Sequence, residues 1–437
     1  MSSFTGQDIS TINSILKDDY RGPIVEMLNS KTLLLHRIEA TAEFTEGRRA
    51  LFPLHTGRNE GLGARPEADN TTASDLPQAG KQEYEDATYK MTHLYGAIQF
   101  SGPAVAAARN NEGAFARLVE SEIDGLVRDA SRDINRQLFG PKSGELGLVI
   151  TGPGGTDEDG VTLSTSQVVL STRQFIRKNM RIAFYSPGTS GAIKNGGTIR
   201  TVSSVTRLSS RPNYARVTFD GALNASTAVA AADLATREKS YGNEIFGLVD
   251  IISDGNPQNI LSGAASERRY VGNLDRGSAG FEFWQSNIID QGNAAFSDTL
   301  FQDAIDLSEV EGDGDLSIFI TDHRTFNTYG NSLLSDRRYP TEGSRFNKLD
   351  GGFRALEYDE VPVVKDRDCQ FNTIWGLAED RIKFLHMADW DWMDKDGSVL
   401  SRVQGKDAYE ATLFKYCELA INDAKDHVKI ANVDTVI

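Results

Sequence analysis

Phe115, Val119, Ile123, Leu126, Ala130, Ile134 and Leu138 recur at spacings of three and four, which makes one apolar stripe on a helix. Asp124/Arg128, Asp129/Arg132 and Asp133/Arg136 fall on the other side at ion-pairing offsets. Asn111 is a candidate N-cap, and Gly140-Pro141 ends the pattern. About 25 residues at 1.5 Å each predict a rod of roughly 40 Å. Helices of globular domains average about a dozen residues. Phe115, Val119, Ile123, Leu126 and Ile134 are the expected packing residues.

Upstream the pattern changes period. RRALFPL reads as a strand, and QEYEDATYKMTHLYGAIQF, rich in Tyr, Thr and Ile, as a returning one. Between them lies GRNEGLGARPEADNTTASDLPQAG (57–80), too polar to bury and too rich in Gly and Pro for a helix. Loops beyond about 12–15 residues without secondary structure are uncommon in compact domains. This one predicts the tip of a two-stranded projection. An isolated ribbon is marginal in water, so the projection makes sense only if another surface receives it. Arg58, Asn59, Glu60, Arg65, Leu76 and Pro77 are its candidate contact residues. Residues 1–45 offer two short amphipathic pieces separated by Gly22-Pro23, an arm that needs something to pack on.

Residues 151–265 predict a small β-barrel or sandwich. ARVTFDGAL alternates, with Ala215, Val217 and Phe219 on one face and Arg216 and Thr218 on the other. RIAFYSPG and GTIRTVSSV are further strands between Gly/Ser/Asn turns. From about 266 the chain reads as mixed α/β. FSDTLFQDAIDL is helical, LSIFI is a buried strand, and Thr321/Asp322 can cap a helix through HRTFNTYGNSLL. ALEYDEVPVV and NTIWGLAEDRIKFLHM predict strands. Residues 408–421 fit a helix through Leu413, Cys417 and Ile421, and equally a strand by alternation from Leu413 to Ile421.

The chain has 437 residues, 39% of them hydrophobic, with a mean hydropathy of −0.38. No apolar run approaches the ~18 residues of a membrane span, and MSSFTGQDIS is too polar for a secretory signal. Cys369 and Cys417 fit two buried thiols of a protein made in a cytoplasm. The net charge of −16 argues against coating nucleic acid with the whole surface. Yet residues 160–219 hold nine Lys and Arg and no acid. That block could track a phosphate backbone, could complement an acidic neighbouring copy, or could be a solvated face. Few aromatics stand there for base stacking. Arg200, Arg207 and Arg216 are its candidate contact residues.

No constellation for chemistry emerges. In GAIKNGGT (191–198) Gly197 stands where a phosphate-binding loop needs its Lys. If Gly397 of MADWDWMDKDGS were a calcium-loop glycine, Trp392 and Val403 would fill ligand positions. EVEGDGD (309–315) and the pair Asp389/Asp391 read as solvated turns. There is no HExxH, no GxSxG and no nucleophilic Cys setting. The expectation is a non-enzyme without cofactor or metal.

Taken in order, these segments resemble the major capsid protein of tailed bacteriophages. LFPLHTGRNEGLGARPEADNTTASDLPQAGKQEYEDATYKM is similar to the family's extended loop and returning strand. LYGAIQFSGPAVAAARNNEGAFARLVESEIDGLVRDASRDINRQLFG is similar to the strand and spine helix of its peripheral domain. SIFITDHRTFNTYGNSLLSDRRY, LDGGFRALEYDEVPVVKD and GKDAYEATLFKYCELAINDAKDHVKIANV resemble the axial core and final peripheral strands. The resemblance implies an α+β fold and favours a strand at 408–421. It divides the chain into an N-terminal arm (1–45), an extended loop (46–100) and a peripheral domain with the spine helix (101–150). An inserted β-rich domain (151–265), an axial domain (266–365) and a return to the peripheral domain (366–437) follow.

The function so implied is a structural shell. Hexamers and pentamers of this chain would tile an icosahedral phage head around double-stranded DNA. The DNA would be held by non-specific proximity, with no membrane involved. Assembly would take place in the bacterial host cytoplasm and end in the virion. Met1 lies only about 45 residues from the loop, which implies a separate scaffolding protein; a portal and a decoration protein are further implied partners. Covalent cross-linking, which some members achieve through a loop Lys, is not carried over to Lys81. The rival on the same fold is an encapsulin shell around a cargo enzyme. The rival of another class is a soluble enzyme with an inserted β-domain.

Overall fold

The computed structural model describes residues 33–41, 45–46, 49–64, 77–103, 112–186, 192–211, 213–223, 228–255, 269–312, 314–335, 347–348, 354–394 and 401–434. The long helix runs from Glu112 to Phe139 and stops at Gly140, whose amide bonds the carbonyls of Arg136 and Gln137. Ile123, Val127, Ile134 and Leu138 are buried in the largest core, with Leu126 and Ala130 packed against it. Four buried aliphatic side chains contribute roughly 6–12 kcal/mol of gross burial energy. Phe115 and Val119 lie in the first half of the helix, where only the backbone is described.

The polar side departs from the simple amphipathic reading. Asp124, Arg128, Asp129 and Arg132 are exposed, but Arg128 bonds the carbonyl oxygen of Asp124 rather than its carboxylate. In the last turns Ser131, Asn135, Arg136 and Gln137 are buried as well. Arg136 of the Asp133/Arg136 pair is therefore inside the molecule and Asp133 half-buried, because the chain returning from the barrel covers the end of the helix.

The helix packs on a five-stranded sheet. Its order is Glu39–Thr41, Ile382–Trp392, Ala408–Ile421 and Ser401–Arg402, with Thr92–Ser101 paired along Ala408–Ile421. Residues 408–421 form a strand, settling the ambiguity in their periodicity. A Cβ at Gly96 would stand 2.9 Å from Leu126, which shows how closely sheet and helix approach. Asp389 and Asp391 lie within a long strand rather than a turn, and Asp389 accepts from Lys415 Nζ at 2.8 Å.

A seven-stranded mixed sheet runs in the order Asn287–Asp290, Val428–Ala431, Ile374–Leu377, Ile318–Thr321, Val361–Lys365, Arg354–Tyr358, Asn347–Lys348. The helices Thr299–Glu311 and His323–Ser335 cover one face, where Phe301, Phe319, Tyr329 and Val363 pack. From the other face Ile318, Ile320, Val364 and Trp375 enter the main core. Asp322 is the cap of the second helix, accepting from the amides of Arg324 at 3.0 Å and Thr325 at 3.3 Å, whereas Thr321 bonds Thr373. Asp359 and Glu360 both have positive φ, joining two strands by the primed turn that matches strand twist. Ile374–Leu377 and Val428–Ala431 belong to this sheet, so the final 70 residues are shared between both sheets rather than returning wholly to the helix side.

The β-rich segment is a closed six-stranded barrel. Its first strand, Glu145–Thr151, begins six residues earlier than the composition suggested, and its last is Leu234–Arg237. Val168, Phe184, Val202, Val217 and Phe219 fill it. Ala215, Val217 and Phe219 are buried and alternate with half-buried Arg216 and Thr218, the pattern read from ARVTF. Ile245, Leu248, Val249 and Ile251 are already back in the main core, so the barrel is shorter at its C-terminal end than 151–265 implied.

Candidate assembly surfaces

The projection is a hairpin of Arg49–Gly57 and Glu83–Lys90. Ala50, Phe52, Leu54, Ala87 and Tyr89 bury its root, and Tyr89 Oη donates to the carbonyl of Ile421 at 3.1 Å. Desolvation there pushes the Tyr89 phenol well above its ordinary value. Met91 separates this leg from Thr92–Ser101, so the long returning stretch serves two sheets. Beyond the root nothing holds the hairpin from either side among the described residues. Glu83, Tyr84, Glu85 and Asp86 are exposed in succession.

Arg58 and Glu60 pair with each other at 2.7 Å in open solvent. Asn59 accepts from Gly61 at 2.7 Å, and a Cβ at Gly61 would stand 2.7 Å from the Gly80 amide, so the legs stay side by side past the strand ends. Pro77 is half-buried; Arg65 and Leu76 lie outside the described residues. Leu62, 87% exposed, and Tyr84, 65% exposed, are apolar surface that sequence reasoning passed over. Alternation could have flagged Tyr84, but nothing local marks Leu62.

The basic block is less free than its composition suggests. The acids just before it fold back onto it: Arg216 Nε donates to Asp157 at 2.6 Å, and Arg211 pairs with Glu158 at 2.8 Å. Asp159 accepts the amides of Ser209 and Ser210, which hold its carboxyl below the usual range. Arg181 pairs with Glu238, and Lys194 with Asp233 at 3.5 Å. Arg200 bonds the carbonyl of Ala222, and Arg207 is exposed. Arg207 and Arg216 thus stand at neighbouring positions of two paired strands, Arg200 is at the far end of the first of them, and Arg216 is tied into its own barrel.

Other members of the block converge instead. Arg173, Arg177 and Lys178 of the barrel segment line a groove of about 780 Å³ together with Arg367 and Phe371 of the body. Arg367 is too distant in sequence for any local pattern to place it there. Gln174, also in the lining, donates to the carbonyl of Arg367 and, at 3.2 Å, to Asp368.

A buried charge network anchors the barrel to the helix end. Arg136 Nη2 donates to Glu244 at 2.7 Å and reaches Asp133 at 3.1 Å, and Asp133 also meets Arg237 of the last barrel strand at 3.1 Å. Burial alone would lower the Arg136 guanidinium, but the two carboxylates hold it charged. Desolvation raises Glu244 despite the attraction of Arg136. Nearby, Glu418 is buried and accepts from Lys142 Nζ at 2.8 Å, Thr92 at 2.9 Å and the Phe246 amide at 2.6 Å. Among the described residues no group of three His, Cys, Asp or Glu could hold a metal, and no helix is long and apolar enough to cross a membrane. Cys369 and Cys417 are buried and free.

No protein-family model matches the sequence, and no curated protein does. Among solved structures, the capsid asymmetric unit of cyanophage A-1(L) matches over 92% of this chain and 93% of that one, with a TM-score of 0.51 at 10% identity. The chain has the tailed-phage capsid fold. Two looser matches have TM-scores of 0.43: an encapsulin complex from Synechococcus elongatus at 9% identity, covering 92% of this chain and 88% of that one, and Mycobacterium phage Patience at 8%, covering 98% and 90%. In this capsid fold the barrel is carried between the end of the long helix and the short helix Leu248–Ile251.

Proposed function

We propose that this chain is the shell-forming subunit of a tailed-phage head. The observation that carries the reading is the hairpin: buried at its root, exposed along its distal half, and part of a chain that matches a capsid fold over 92% of its length. A two-stranded ribbon of this kind gains a packing partner only from another molecule. The neighbouring subunit supplies that surface, and repetition of the same contact closes a shell. On this reading the helix and five-stranded sheet form the peripheral domain, the seven-stranded sheet forms the axial one, and the subunits group as hexamers and pentamers. Double-stranded DNA is enclosed, with a separate scaffolding protein, a portal and a decoration protein as partners of the assembled virion.

Sedimentation of the protein expressed with its scaffolding partner tests the reading. Megadalton particles that fill with DNA support it. Shells enclosing a cargo enzyme would move the assignment to an encapsulin, and a small oligomer would end it.

A further inference from the structure

We propose that the groove lined by Arg173, Arg177, Lys178 and Arg367 receives the acidic strand Glu83–Asp86 from the arm of a second copy of this chain. The inference rests on the shell reading and names the contact that the arm makes. Three cations of the barrel segment and Arg367 of the body line the same groove of about 780 Å³. One acid beside them is Asp368, buried and engaged by Asn135 at 2.7 Å and Gln174 at 3.2 Å. It meets Arg367 at 3.3 Å, yet the arginine stays 55% exposed. The barrel's own acids, Asp157, Glu158 and Glu238, are committed to Arg216, Arg211 and Arg181. Buried Asp366 also attracts Arg367, so the four cations less these two carboxylates leave the groove an excess of about two positive charges.

The arm carries the complement. Glu83, Glu85 and Asp86 are exposed on an edge strand whose ladder partner is Arg49–Gly57 alone, leaving the outer edge of this segment unpaired among the described residues. Lys81 meets Glu83 at 3.1 Å and offsets one charge in part. Tyr84, in the middle of the acids, is exposed, as is Phe371 at 41% on the groove wall. Three acids and one aromatic thus face four cations and one aromatic. Opposed charge patterns of this kind steer and register a docking contact. Within one copy both sets stay solvated, so the match is made between copies. Duplex DNA is the weaker occupant, because a chain of net charge −16 repels the phosphates around any single groove.

Charge exchange tests this contact directly. Arg173→Glu/Arg177→Glu/Lys178→Glu and Glu83→Lys/Glu85→Lys/Asp86→Lys should each leave folded subunits by circular dichroism, since all six positions are exposed. Each set alone should lower shell yield at least about tenfold at low salt, with the deficit shrinking as salt screens the contact. The combined six-fold exchange should restore shells. Wild-type yield from either single set, or a combination no better than its parents, would overturn the proposal. A groove variant that assembles normally but loses packaged DNA would overturn it in favour of phosphate binding. Failure of the wild-type chain to form shells would instead overturn the shell reading itself.

Discussion

Replacing Arg136 with Met should be among the most damaging single changes in the molecule. Glu244 is buried, and Arg136 is its ion-pair partner at 2.7 Å, with its second oxygen unbonded. Asp133 is less dependent on the same arginine, because it is half-buried and keeps Arg237 and Gln137. The variant therefore strands one carboxylate in a low-dielectric site, a change that costs about 3–5 kcal/mol. Urea unfolding followed by tryptophan fluorescence reads this well, since Trp284, Trp375, Trp390 and Trp392 all sit in the main core. Adding Glu244→Leu should recover most of the loss, because an apolar pair of similar volume removes both charges.

The pH dependence has a definite sign. Glu244 already titrates above its ordinary 4.5 in the folded state because burial disfavours its charge. Its contribution to stability is fully present below that value and is lost as pH rises through the raised one. Without Arg136 the folded value rises further, so the deficit of the variant should be small at acid pH and grow toward neutrality. A loss under about 1 kcal/mol at neutral pH, or the same loss at acid pH, would refute the buried-pair argument.

Three further outcomes follow from the same packing. Ile123→Asp buries an unpaired charge and should cost several kcal/mol, whereas exposed Arg128→Ala should cost less than about 1 kcal/mol in the same urea assay; equal costs would refute the stripe. At Gly247 a Cβ would collide with the carbonyl oxygens of Gly140, Gln137 and Leu138 at the end of the long helix, so Gly247→Ala should lower the unfolding midpoint sharply. An unchanged midpoint would show that the helix end can yield. Burial pushes the Cys417 thiol up to about 12 and Cys369 well above its ordinary value, so thiolate-directed alkylation at mildly alkaline pH should proceed only after unfolding.

How much of this was legible in the sequence depends on the range of the signal. The long helix, the barrel strands and the Asp322 cap are written in local spacing, and their elements appear at or near the predicted residues. The strand at 408–421 was ambiguous because its alternation and its helical spacing share Leu413, Cys417 and Ile421. Its pairing with Thr92–Ser101 and Ile382–Trp392 decides the matter, and no local window contains those partners. The surface residues were harder to find. Nine basic residues without an acid looked like a free positive face, yet the acids at 157–159 lie just before the block and fold back on it. Arg367 completes the remaining groove from the far side of the chain. Likewise Arg136 read as a surface residue by its offset from Asp133, because the segment that buries it arrives about a hundred residues later.

The central claim, that the projecting hairpin is an assembly device received by a neighbouring subunit, is tested most directly by an electron cryomicroscopy map of the assembled protein. The account predicts closed shells in which the hairpin from the Pro53–Asp86 pair outward crosses onto the adjacent subunit, its acidic edge against that subunit's barrel groove. A map in which the hairpin folds back onto its own chain, or a preparation that contains only monomers or small oligomers when the scaffolding partner is present, would contradict it.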